Sequence, residues 1–140
     1  MYNTILNAVA GQIAAKIPSS PVYVDEIPQN TDGSTFVRIV EDARSNGCNR
    51  SRYDFSMEVL HFQAAHDTFT YGEWVDSIYT ALDRIEIGEI VLFPKNCSAR
   101  QDRDNRFYQF TFDLDFTLVG IPQNELMETL KTDISEVKHG

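Results

Sequence analysis

The chain has 140 residues, 42% of them apolar, enough for one hydrophobic core in a single domain. Twelve basic against 21 acidic residues give a formal charge of −9, which speaks against general nucleic-acid binding because phosphate recognition wants a basic surface. No apolar run approaches the roughly 18 residues of a membrane span and no secretory leader is visible, so the composition reads as that of a soluble protein made inside the cell.

Residues Asn3 to Lys16 read as a helix, with Ile5, Leu6, Val9, Ile13 and Ile17 near helical spacing and Pro18 and Pro21 as stops. Val22–Val24 reads as a short strand, Gln29–Ser34 as a turn around Asp32-Gly33, and Thr35–Val40 as the second strand. Arg44–Ser51 reads as a polar loop with Asn46-Gly47 as its turn. Arg52–Phe62 alternates as a third strand: Tyr53, Phe55, Met57 and Val59 lie on one face. The pattern slips at Val59-Leu60 and leaves Phe62 on the polar side, which a bulge or two-sided burial explains.

Thr70–Arg84 reads as the second helix, with Thr70 and Glu73 at capping-box spacing and a stripe through Trp74, Ile78 and Leu82. Ile87–Phe93 follows as a fourth strand, then a second polar loop, Lys95–Asn105. Phe107–Val119 is the strongest pattern in the chain. Tyr108, Phe110, Phe112, Leu114, Phe116 and Leu118 alternate with polar residues and no Gly or Pro intervenes, so this strand belongs inside a sheet. Asn124–Lys131 reads as a short helix in a polar tail. The expected fold is α+β: one mainly antiparallel sheet with two helices on one face, in the order helix, three strands, helix, two strands. Residues 1–119 form the domain and 120–140 a C-terminal extension.

No catalytic residue, metal site or cofactor site is expected. His61, His66 and His139 are scattered and show no ligand spacing, and His61 reads as a strand residue at the margin of the core. Asp113 and Asp115 point the same way on one strand, but such a pair reads first as solvated or interface-facing surface rather than as an acid–base pair. No phosphate loop, nucleophile elbow or dinucleotide fingerprint is present. Cys48 and Cys97 read as two reduced surface thiols, because spacing alone establishes no bridge.

The clearest electrostatic pattern is that seven of the twelve basic residues cluster in or next to the two loop segments: Arg44, Arg50 and Arg52 around the first, and Lys95, Arg100, Arg103 and Arg106 around the second. One reading is ordinary solvated hairpin ends. The sharper one is an interface with an acidic partner, a neighbouring subunit or passing DNA phosphates, since the planar guanidinium fork suits carboxylates and phosphates.

Three segments carry a resemblance: Pro21-Val22-Tyr23-Val24-Asp25-Glu26-Ile27-Pro28-Gln29, the run Asn49 to Phe62 with Arg52-Tyr53-Asp54-Phe55 at its head, and Tyr108 to Phe116. With the element order, they make residues 1 to about 119 resemble the small tail-terminator (tail-completion) proteins of tailed bacteriophages and phage-tail-like particles. That family pairs a leading helix and a Y-V-E-x-V-x-Q-like strand with an R-Y-x-F-like strand, a middle helix and a final aromatic strand. The first segment here is close but not identical, and the tail after Gly120 departs from the pattern. The resemblance implies a non-enzymatic virion protein that forms a ring, six-fold, on the finished tail tube. It implies a self-partner, a tail-tube protein, a head–tail connector protein, and DNA passing through without sequence-specific binding. No membrane and no cofactor enter. The implied place is the virion tail, reached from the bacterial cytoplasm. The alternative is another ring-forming tail or neck protein, and behind it a small ligand-binding or enzymatic domain.

Overall fold

The structure is a computed structural model and describes residues 1–24, 32–63 and 67–119. The expected Ala- and Ile-rich helix is α1 (Tyr2–Lys16), with Ile5, Val9 and Ile13 buried on one stripe at intervals of four. Pro18 follows its end and offers no N–H to continue it. Then come β1 (Val22–Tyr23), β2 (Thr35–Gly47), β3 (Arg50–Phe62), α2 (Thr68–Ala81), β4 (Ile85–Ile87), β5 (Ile90–Leu92), β6 (Lys95–Asp102) and β7 (Phe107–Val119).

Five strands form the main sheet in the order β1-β2-β3-β7-β6. All its pairings are antiparallel except β1 with β2, which runs parallel over only two residue pairs. β7 lies inside the sheet, as its unbroken alternation predicts, paired along its whole length with β3. One face of the sheet supplies Val37, Tyr53, Phe55, Met57, Val59, Tyr108, Phe110, Phe112 and Leu114, all buried. The helices close this core through Ile5, Val9, Ile13, Trp74, Ile78 and Leu82. Aromatic edges interlock there: the Tyr79 ring meets Phe110 at 4.9 Å and Tyr71 meets Tyr108 at 5.1 Å, both edge-on. The α+β class and the helix-on-sheet layering are those expected.

Several boundaries differ from the sequence reading. Arg44–Ser51 is not a loop. β2 and β3 run on through it as a hairpin whose turn is Cys48-Asn49, with Asn49 at φ 54°, a conformation Asn tolerates better than most side chains. Asn46 and Gly47 are ladder residues instead, paired with Ser51 and Arg50. Lys95–Asp102 is likewise a strand, β6, and only residues 103–106 make the turn into β7. Polar composition misled in both places because a strand beyond the core needs no apolar face. Ile87–Phe93 is not a strand of the main sheet. β4 and β5 form their own two-stranded hairpin, turning near Gly88 at φ 60°.

Of the two explanations for the slip in the third strand, a bulge is not found there; the sheet's bulge near this region lies in β2. Ile39 pairs with Met57 and Glu41 with Ser56, so Val40 has no partner and is 58% exposed. β3 itself is regular, and its pattern slips because both faces are covered: Leu60 and Phe62 are half-buried on the outer face, where the Phe62 ring lies 6.1 Å from that of Phe107. The N-cap of α2 is Asp67 rather than Thr70; its carboxylate accepts from the Thr70 N–H and hydroxyl, each at 2.7 Å. Residues 25–29 of the family-like first segment, His66, His139, the Asn124–Lys131 helix and the 120–140 extension lie outside the described residues.

Candidate assembly surface

The two helices pack on one face of the sheet; the opposite, outer face carries no helix among the described residues. On that outer face the strands build a charge ladder. Arg38 of β2 donates to Glu58 of β3 at 2.9 Å, Gln109 of β7 donates to the other Glu58 oxygen at 2.8 Å, and Arg100 of β6 donates to Gln109. Glu58 is buried, held by partners on both sides, so its charge is compensated where a lone carboxylate would be costly. A second row lies further along. Lys95 donates to Asp115 at 2.9 Å, Arg52 reaches Asp54 at 3.2 Å, and Asp113 accepts from Ser56 and Asn96 at 2.9 Å each. Asp113 and Asp115 are thus members of cross-strand pairs on the outer face.

The seven basic residues picked out from the sequence do not form one patch. Arg52, Lys95 and Arg100 lie on the outer face. Arg44 faces the other way: beyond the Val40 bulge it stands opposite Tyr53, with its guanidinium 5.2 Å from that ring and paired to Asp42 at 2.8 Å. Arg50 sits at the tip of the β2–β3 hairpin, exposed. Arg103 and Arg106 are exposed in the β6–β7 turn, at the opposite end of the thirteen-residue β3 and β7 strands. At ~3.3 Å per residue, that separation is about 40 Å. Arg50, Arg103 and Arg106 make no ion pair among the described residues. Asp102 organises the turn by accepting from the Asn105 N–H and side-chain amide at 3.0 Å, which holds its carboxyl below the usual range.

Sequence reasoning missed the edges. Among the described residues, β2 is flanked by β1 only at Thr35 and Phe36, so Val37 to Gly47 present an open edge; β6 is open along its outer side. Open backbone edges of this length are templates for strand addition. Toward the β2–β3 hairpin full burial ends after Val37 in β2, before Tyr53 in β3 and after Leu114 in β7, although Phe116 and Leu118 stay half-buried against the core. Phe69 at the start of α2 and Phe93 before β6 are 84% and 64% exposed.

Among the described residues, the histidines and cysteines do not assemble a catalytic constellation. His61 is buried, stacked against Trp74 at 5.8 Å, with Thr35 and Gln63 on its two nitrogens at 3.1 Å, and burial lowers its pKa. Cys48 and Cys97 are free thiols, the first exposed and the second half-buried, where burial pushes its pKa up and away from thiolate chemistry. Among the described residues, no three His, Cys, Asp or Glu side chains group as metal ligands, and no helix is long and apolar enough to cross a membrane. The apolar cleft between α1, the β4–β5 hairpin and the end of β7 holds about 20 Å³. Small-molecule sites are commonly about 300–1,000 Å³.

No curated protein matches this chain significantly. Among solved structures it is similar to a chain in the virion of a native gene transfer agent (GTA) particle, with a TM-score of 0.51 and 15% identity, covering 83% of this chain and 95% of that one. At that identity the likeness speaks for the fold. The model of a family described as phage tail terminator protein matches residues 4–127, nearly the whole chain, from α1 through the aromatic strand β7. The match spans well over half of the chain, so the chain belongs to the phage tail terminator family.

Proposed function

We propose that the chain forms a closed six-fold ring on the end of the tail tube, stops tube polymerisation there and presents the surface to which the head joins. The observation that carries this reading is the family match over residues 4–127, on a fold whose sheet, among the described residues, has two open edges. A ring needs a heterologous interface, two different surfaces of one subunit that meet by rotation, and a sheet with two distinct edges supplies such a pair. The partners are further copies of the chain, the tail-tube protein and the head–tail connector protein. DNA passes through the ring without sequence-specific contacts, and acidic composition together with paired basic groups disfavours tight phosphate binding. The ring resides in the virion tail after synthesis and assembly in the bacterial cytoplasm.

Negative-stain electron microscopy of the purified protein, alone and mixed with polymerising tail-tube protein, tests this. Single closed rings, or one ring on each tube end with growth halted, are expected. Long stacks of the chain itself would make it a tube protein, and a monomer that neither binds nor limits tubes would overturn the reading.

A further inference from the structure

We propose that neighbouring copies join by strand addition, the outer edge of β6 in one copy pairing antiparallel with the distal edge of β2 in the next, with Arg100 facing Glu41 across the seam. The inference rests on the ring reading above and names the surfaces that close it.

Direction is the first argument. β2, β3, β7 and β6 alternate, so β2 and β6 run in opposite directions at the two sides of the sheet. Rotation about an axis along the sheet preserves strand direction, so β6 of one copy meets β2 of the next antiparallel, which continues the pattern across the seam. Both runs are free of proline, so each backbone N–H is available for a ladder.

Face and charge then select the register. Arg100 and Ser98 lie on the outer face of β6, while Cys97 and Ala99 pack toward the core. Beyond the Val40 bulge, Glu41 and Ala43 share the outer face with Ser56 and Asp54. Opposed residues in a ladder share a face. Placing Arg100 against Glu41 sets Ser98 against Ala43 and the small Ala99 against Asp42. It uses the regular part of each strand, since β6 is irregular between Lys95 and Ser98 and β2 at Val40. A shift by two residues one way sets Asp102 against Glu41, two like charges, and the other way runs Arg100 into the strand before the bulge. Glu41 is exposed and makes no ion pair among the described residues, so its carboxylate is available.

The test is disulfide trapping on assembled tube ends. In a Cys48→Ser, Cys97→Ser background, Ser98→Cys with Ala43→Cys is mixed with polymerising tail-tube protein and oxidised. A ladder of covalent oligomers rising to the ring size is expected on non-reducing gels; either cysteine alone should give none, because the two edges differ. Glu41→Arg and Arg100→Glu should each lower the fraction of capped tubes several-fold, and the double reversal should restore it. Circular dichroism of each variant verifies that the subunit is folded. Rings on tubes with neither trapping nor charge rescue would overturn the strand-addition seam and leave the ring reading standing. Trapping and charge-swap data from a protein that forms no ring on any tube would instead show filaments joined by this seam and overturn the ring.

Discussion

His61 shows how a polar residue is kept inside this core. The Ser20 hydroxyl donates to the Gly33 carbonyl at 2.6 Å, so the proton between Ser20 and Thr35, 2.7 Å apart, comes from Thr35. Oγ1 of Thr35 lies 3.1 Å from Nδ1 of His61, and the Gln63 side-chain carbonyl oxygen Oε1 lies 3.1 Å from Nε2. Trp74 and Tyr108 pack around the ring; burial lowers its pKa, outweighing the Gln63 hydrogen bond and the more distant Asp32 charge, which both favour the protonated form. A folded pKa below the unfolded one means that the unfolded chain binds protons first as pH falls. Stability from this site is therefore complete above about pH 6.5 and is lost as pH falls through the lowered folded value. Thermal melts should show Tm falling between pH 7.5 and 5.5, and His61→Gln should flatten that slope while lowering Tm at pH 7.5. A slope unchanged in the variant would move the effect elsewhere. Phe110, fully buried between Tyr79 and Phe112, belongs to the same scale: Phe110→Ala should cost about 3–5 kcal/mol in urea unfolding, from lost burial and the cavity left behind.

At the scale of elements, α2 depends on a cap that lies three residues before the one its sequence advertises. The capping-box spacing of Thr70 and Glu73 pointed to a start at Thr70, but Thr70 serves Asp67 with both its N–H and its hydroxyl. Those hydrogen bonds hold the Asp67 carboxyl below its ordinary range. The stabilisation is present above the unfolded carboxyl value near pH 4 and disappears as pH falls through the folded one. Asp67→Ala should lower Tm at pH 7 and Asp67→Asn by less, since the amide oxygen still accepts, and the gap between wild type and Asp67→Ala should close near pH 3. The bulge at Val40 is the other decisive element feature. It turns Asp42 and Arg44 onto the side of Phe55 and Tyr53, so the distal hairpin carries charge on the face that carries core further down.

The whole molecule distributes its basic groups between two ends of one long sheet and its open face. Replacing Arg50, Arg52, Arg100 and Arg103 together by Ser should leave the fold intact, because all four are exposed and none contributes to the core. Attachment to tail tubes should weaken, and wild-type attachment should itself weaken with salt. Normal capping by the quadruple variant at physiological salt, in a pull-down with tubes, would make these residues ordinary solvated surface. Arg50 and Arg103 have no ion partner among the described residues, so their loss acts on attachment alone, whereas loss of Arg100 also removes the proposed seam contact with Glu41.

Periodicity alone determined the two helices, the long aromatic strand and its inside position, and the residues of the core, because burial of an apolar stripe imposes its period on the sequence. Ile5, Val9 and Ile13 could lie on one side only of a helix, and Tyr108 to Leu114 on one side only of a strand. The charged residues of the candidate surface were legible as residues but not as an arrangement. Arg44 and Arg52 look alike in a polar run, yet one unpaired residue, Val40, puts Arg44 on the inner face opposite Tyr53, while Arg52 lies on the outer one with Asp54. β6 was hidden for a related reason: an edge strand beside Phe110 and Phe107 needs only Ala99 and half of Cys97 to be apolar, so it leaves no alternation to read. Strand pairing is a contact between distant segments, enforced by backbone hydrogen bonds that every residue but proline can make. Which edges stay open, and therefore where a neighbour can add, was decided by the tertiary structure alone.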